Sequence, residues 1–172
     1  MQLAYTMAPG RGDTDLILAG LAADLVARGA RLCGTVQINT DRDTDGPCDM
    51  DVRVLPDGPV LRISQDLGPE ARGCRLDPAA LESAVALVAA RLGADTELLI
   101  VNKFGKHEAE GRGFREVIAE ALGLGVPVLV GLNSLNRAAF EEFAGGFATQ
   151  LPPERAALVE WAAGALGKAV TA

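Results

Sequence analysis

Aromatic side chains make up only 4% of this 172-residue chain, so its core must be built from aliphatic carbon. That shortage disfavours an aromatic-rich β-sandwich and suits α/β layers. Positive charge is also short. A net charge of −7 argues against general affinity for nucleic acid or anionic lipid. Any anion site must therefore be a local concentration of basic groups. No apolar run reaches the roughly 18 residues of a membrane span, and MQLAYTMAPG lacks the basic-then-apolar order of a secretory signal. No membrane insertion and a cytoplasmic location are the expectations. Cys33, Cys48 and Cys74 are odd in number and widely spaced, with no C-x-x-C pair. They read as reduced thiols, not as a disulfide framework or a structural zinc site. His107 is the single histidine and belongs to no nucleophile-elbow pattern. Beside Lys106 and Glu108 it can serve as an acid–base group, although a lone histidine is more often incidental.

What is present is aliphatic and periodic: 49% of the chain is apolar. The length suits one domain, residues 1–172, with a full core. Gln2 to Met7 reads as a strand, followed by the loop Ala8 to Asp13. Asp13 or Thr14 then caps a helix that runs to Arg28 and ends at Gly29. Arg31 to Ile38 is a second strand. Met50–Leu55 and Val60–Ser64 flank Pro56-Asp57-Gly58-Pro59 and predict a hairpin insert over about residues 48–66. Asp77-Pro78 opens a helix to Leu92. Leu98 to Val101 is a buried strand, followed by a helix from Arg112. Pro127 to Leu132 is another strand, and helices from Arg137 to Phe143 and Pro153 to Lys168 close the domain. The order predicts α/β architecture: a mainly parallel sheet, helices on both faces, and an inserted antiparallel hairpin.

Ligands of open α/β sheets bind at the carboxyl ends of strands. The strand Leu98–Val101 delivers Asn102-Lys103-Phe104-Gly105-Lys106 to that edge, with His107, Glu108 and Glu110 behind. Lys103 and Lys106 supply positive charge there. Arg72 and Arg75, in a glycine-bearing loop, are placed to close over the same edge. Arg112 and Arg115 read as solvated surface charges. Asp49 and Asp51 share one strand face, able to hold a cation or to meet solvent. Loop Met7–Thr14, between the first strand and helix, stands where a phosphate-binding loop stands. Against G-x-x-x-x-G-K-[ST], Gly12 and Thr14 match, Gly10 adds flexibility, Met7 replaces the first glycine, and Asp13 replaces the lysine. Asp13 opposes triphosphate binding: two like charges near 4 Å cost roughly 4 kcal/mol at an effective dielectric of about 20.

The span GTVQINTDRDTDGPCDMDVRVLPDGPVLRISQDLG resembles the strand-plus-hairpin insert of THEP-type P-loop nucleoside triphosphatases. NKFGKHEAEGRGFREVIAEAL resembles their Walker B segment, with Asn102 and Lys103 in place of two acids and Gly105, Lys106 and Glu108 in keeping. GVPVLVGL resembles the strand that follows. Through CDMD, QDLGPEARGCRLD and NKFGK-x-E-x-E-G-x-G the chain is similar over nearly its whole length to domain-of-unknown-function family 2478. That family is typically described as THEP-like, and some members are labelled molybdenum-transport ATP-binding proteins.

The resemblance implies a P-loop NTPase-like fold and a nucleotide or oxyanion setting. The resulting expectation is a degenerate P-loop domain that binds a phosphate-like or tetrahedral oxyanion, nucleotide and molybdate included, with little or no hydrolysis. Gly10, Arg11, Gly12, Asp13, Thr14, Arg72, Arg75, Asn102, Lys103 and Lys106 are the candidate ligand-binding residues; Lys106 and Glu108 are the catalytic candidates. Mg²⁺ enters only with a nucleotide. A Mg²⁺-dependent triphosphatase with a displaced lysine and a ligand-free interaction module are the rival readings. The resemblance also implies that the Gly10–Thr14 loop and the Lys103–Lys106 strand end are sheet neighbours. The sequence sets no oligomeric state.

Overall fold

The computed structural model describes residues 1–40, 48–68, 70 and 75–167. A seven-stranded sheet runs in the order β4-β3-β2-β5-β6-β1-β7. Its strands are β1 (Leu3–Thr6), β2 (Leu32–Thr40), β3 (Asp49–Val54), β4 (Val60–Arg62), β5 (Leu98–Val101), β6 (Val128–Gly131) and β7 (Ala148–Leu151). β2, β5, β6, β1 and β7 are parallel, whereas β3 and β4 extend the sheet antiparallel beyond β2. The helices are α1 (Asp13–Ala27), α2 (Pro78–Arg91), α3 (Lys106–Ala109), α4 (Arg115–Gly123), α5 (Arg137–Ala144) and α6 (Arg155–Ala165). The α/β architecture and the antiparallel hairpin expected from the sequence are both present.

The alternation within β5 shows how the layers are held. Leu98 and Ile100 join a cluster with Leu18, Leu21 and Leu25 of α1 and Leu158 of α6. Leu99 and Val101 join the opposite cluster with Val88 of α2, Ile118 of α4 and Phe140 of α5. Successive strand residues point to opposite faces, so a strand buried on both sides reads as one continuous apolar run. Four aromatics, Tyr5, Phe104, Phe140 and Phe143, meet at one place. Phe140 packs edge-on at 5.2 Å against both Tyr5 and Phe104, under the carboxyl ends of β1 and β5.

Several local expectations are corrected. Neither Asp13 nor Thr14 caps α1; Gly12 does, at φ 81°, without a side-chain hydrogen bond. A left-handed turn suits glycine, and it frees the Thr14 hydroxyl to accept from Ala8 N at 3.0 Å. The segment after β5 is not a simple lead-in to a helix at Arg112. It forms the short helix α3 and then a turn, and α4 starts at Arg115. β7, unforeseen, is an edge strand paired, among the described residues, with β1 alone, and its Thr149 and Gln150 blur the apolar signal. β1 and β5 are not sheet neighbours, because β6 lies between them. Cys33 is a free thiol. Burial pushes the Cys33 thiol upward in pKa, towards an unreactive state. Cys74 lies outside the described residues.

Candidate functional site

Three strands end side by side. Thr6 of β1 pairs with Gly131 of β6, and Val101 of β5 pairs with Val130. The ladder runs on briefly, with Leu132 N donating to Thr6 O and Phe104 N to Gly131 O. The loops leaving these three ends surround a cavity of about 440 Å³. Met7 to Gly12 contribute from β1, Thr14 and Asp15 from α1, Asn102 and Lys103 from β5, and Leu132 to Ser134 from β6. Six of the expected residues therefore meet: Gly10, Arg11, Gly12, Thr14, Asn102 and Lys103. They do so across β6, without the direct strand adjacency that the resemblance implied.

The pattern Asn102-Lys103-Phe104 explains the lysine's position. Asn102 is buried at 3% and Phe104 at 0%, with Phe104 anchored on Phe140. Lys103 between them is turned out and lines the cavity. From the other side, α1 aims its amino end at the cavity. First-turn N–H groups lack intrahelical acceptors, and the helix dipole adds about half a positive charge there.

Asp15, which sequence reasoning did not single out, carries the carboxylate of the cavity. Asn39 Nδ2 donates to its Oδ2 and Asn102 Nδ2 to its Oδ1, each at 2.8 Å. Asn102 Oδ1 accepts from Gln37 N at 2.9 Å, and Gln37 Nε2 donates to Asn39 Oδ1 at 2.8 Å. The buried Asn102 amide thus spends both ends on fixing Asp15 to β2. Its partners lie 65 and 87 positions away, so no local pattern announces the network. Asn133 and Ser134 also line the cavity and were not foreseen. The Asn133 side chain accepts from Asn136 N and caps the turn Ser134–Asn136.

The remaining candidates fall elsewhere. Asp13 does not line the cavity; its carboxylate folds over Gly10, where an added Cβ would lie 1.9 Å from Oδ2. Lys106 has 81% of its side chain exposed and lies 3.8 Å from Glu110 across one helical turn. Glu108 is 2% exposed. Its Oε2 accepts from Gly105 N at 2.9 Å and its Oε1 from Phe114 N at 3.2 Å. Those bonds give Glu108, one of the two catalytic candidates, a capping and bridging task. Arg75 donates to Cys48 O at 2.8 Å and lies 3.8 Å from Asp49, at the hairpin and away from the cavity. Arg72 lies outside the described residues. Asp49 and Asp51, expected to hold a cation or to meet solvent, both engage Arg62. Arg115 spreads over the Phe143 ring at 4.8 Å, and Arg112 pairs with Glu110. His107 is 6% exposed and bonded to Glu82 at 2.8 Å.

The charge balance of the cavity bears on what it can hold. Arg11 and Lys103 are opposed by Asp15, leaving one formal positive charge plus the partial charge of α1. A compact anion of low charge is matched by that balance. A triphosphate requires further neutralisation, and the Asp15 carboxylate and Thr14 hydroxyl are the groups that would hold Mg²⁺ beside it. Among the described residues no cluster of three or more metal-ligating side chains is present.

The fold is of the P-loop nucleoside-triphosphatase type. THEP1 from Aquifex aeolicus superimposes with a TM-score of 0.64 at 17% identity, over 93% of this chain and 95% of that one. A human cancer-related nucleoside triphosphatase gives 0.61 at 19% identity, over 87% of each chain. At such identities the likeness establishes the fold. Residues 3–161 match the model of the family described as "Protein of unknown function (DUF2478)", and the chain belongs to that family. It is also 38% identical over 149 residues to "Molybdenum import ATP-binding protein ModC 2" of Bradyrhizobium diazoefficiens. That match covers 87% of this chain but spans only 17% of the relative's length. Among the described residues no helix is long and apolar enough to cross a membrane.

Proposed function

We propose that this domain binds a phosphate-like or tetrahedral oxyanion, nucleotide and molybdate among the candidates, in the cavity between the Met7–Gly12 loop and the end of β5. The supporting observation is the convergence of the α1 amino end, Arg11 and Lys103 on one concave space. The relative's name, a molybdenum importer's ATP-binding protein, is in keeping with both anion classes. Efficient hydrolysis is not part of the reading. The strand-end position of an acid holds Asn102, the loop position of the lysine holds Asp13, and Glu108 is committed to backbone amides. The rival is a Mg²⁺-dependent triphosphatase in which Lys103 replaces the loop lysine. The Asp15 carboxylate beside Thr14 favours it, since that pair offers a metal an anionic and a hydroxyl oxygen.

A thermal-shift panel of ATP, GTP, ADP, phosphate, molybdate and tungstate, with and without Mg²⁺, separates these readings, because a ligand specific for the native state raises apparent stability. A shift with bare oxyanion supports the proposal. A shift confined to nucleotide plus Mg²⁺, joined by steady phosphate release, supports the triphosphatase. No shift with any member leaves the interaction module.

Lys103→Ala should weaken binding of the responding anion by about 1.5–3 kcal/mol, the usual worth of a hydrogen bond to a charged group. Lys106→Ala should leave affinity within about 0.5 kcal/mol of the parent, as exposed surface changes usually do. Calorimetric titration checks both. Equal losses for the two variants would contradict the geometry.

A further inference from the structure

A second cavity, of about 270 Å³, lies against the first and shares Asn102, Lys103 and Asn133 with it. Its character is different. Val52 and Ile63 of the hairpin region, Leu76, Leu81 of α2 and Phe114 form its walls, and Leu135 stands at it with 88% exposure. The charged groups along it are Lys103, Lys106 and Glu108, together with His107. Glu108 is already occupied by two backbone amides, and His107 is bonded to Glu82. Thr35 and the Gln37, Asn102 and Asn136 amides supply neutral polarity. An apolar chamber with a few convergent polar groups suits the carbon body of a small ligand. An inorganic oxyanion has no use for it.

We propose that the ligand is an organic phosphate monoester, its phosphate in the loop cavity and a compact aromatic or branched aliphatic body in this chamber, with Lys103 at the junction. The proposal rests on the anion-binding reading and narrows it. Adjacency of the two cavities, which have Asn102, Lys103 and Asn133 as common walls, carries the argument: one ligand reaching past Lys103 from one into the other places charge against charge and carbon against carbon.

Paired calorimetric titrations with inorganic phosphate and phenyl phosphate, at a pH where both are dianions, test it. Phenyl phosphate should bind tighter by on the order of 10- to 100-fold, the return for burying most of one ring face and edge. Leu76→Trp, which fills the chamber, should abolish that advantage while leaving inorganic phosphate affinity unchanged. Leu135→Asp, at an exposed position with little bearing on folding, should reduce the advantage by opposing the ring with a charge. Equal affinities for the two anions, both weakened by Lys103→Ala, would overturn the chamber's role and leave the anion site standing. A phenyl advantage untouched by both variants would place the body elsewhere and equally overturn it. Binding of neither anion would overturn this inference, while the anion reading would then stand or fall on the molybdate, tungstate and nucleotide members of the panel.

Discussion

Glu108→Ala should lower the unfolding free energy by about 3–5 kcal/mol, measured by urea denaturation. Its carboxylate is buried and accepts two backbone N–H groups, from Gly105 at the start of α3 and from Phe114 at the start of α4. Hydrogen bonds to charged groups contribute about 1.5–3 kcal/mol each, and truncation leaves two donors without acceptors in the interior. Phe114 itself is 2% exposed in the core. Glu108→Gln, which keeps one carbonyl acceptor, should fall between the parent and the alanine variant. A stability loss below about 1 kcal/mol for Glu108→Ala, far from the expected range, combined with lost ligand binding or turnover would show that the carboxylate works in the site.

Gly131→Ala is the second large effect. A Cβ at this position would lie 1.9 Å from the Asn102 carbonyl oxygen and 2.9 Å from Leu18 Cδ1. Neither neighbour can step aside, since one is backbone and the other belongs to a fully buried side chain. Overpacking of this kind costs about 1–3 kcal/mol, and contact with backbone places it at the top of that range. The displaced element is the end of β5, so anion affinity should fall along with stability. Wild-type denaturation and unchanged titration curves would show that β5 and β6 approach less closely than described.

The strands of the sheet were legible because doubly buried strands read as short apolar runs between glycines, prolines and polar turns. β5 and β6 show this most clearly. β7 was not, since Ala-Thr-Gln-Leu at an edge meets solvent and carries no apolar run. Strand order was not legible either. Nothing in residues 98–106 reports that β6 separates them from β1, and pairing across that distance is set by the whole sheet. Within the site, the glycine loop and the strand-end lysine were readable from their places beside apolar runs. Asp15 was not, because its significance lies in Asn39 and Asn102, which reach it from distant segments. The NKFGK-x-E-x-E-G-x-G segment, read as functional, also holds its own loop together. Glu108 joins two helix starts, and a Cβ on Gly113 would lie 2.1 Å from Glu108 Oε1. Only its first two residues face the loop cavity.

The Asp15–Asn102 contact has a symmetry that its surroundings do not. An amide and a carboxylate are nearly isosteric, so the two side chains can trade places. In the reciprocal variant Asp15→Asn with Asn102→Asp, Gln37 N still finds an oxygen at position 102. The new amide at position 15 donates to the new carboxylate and still accepts from Asn39. Each exchange alone sets like against like, amide to amide or acid to acid, so the two should be strongly non-additive, with the pair folding better than at least one single variant. The negative charge would then sit at the end of β5 and no longer on the helix facing it. Two substitutions across one hydrogen bond would thus decide which wall of the cavity is acidic.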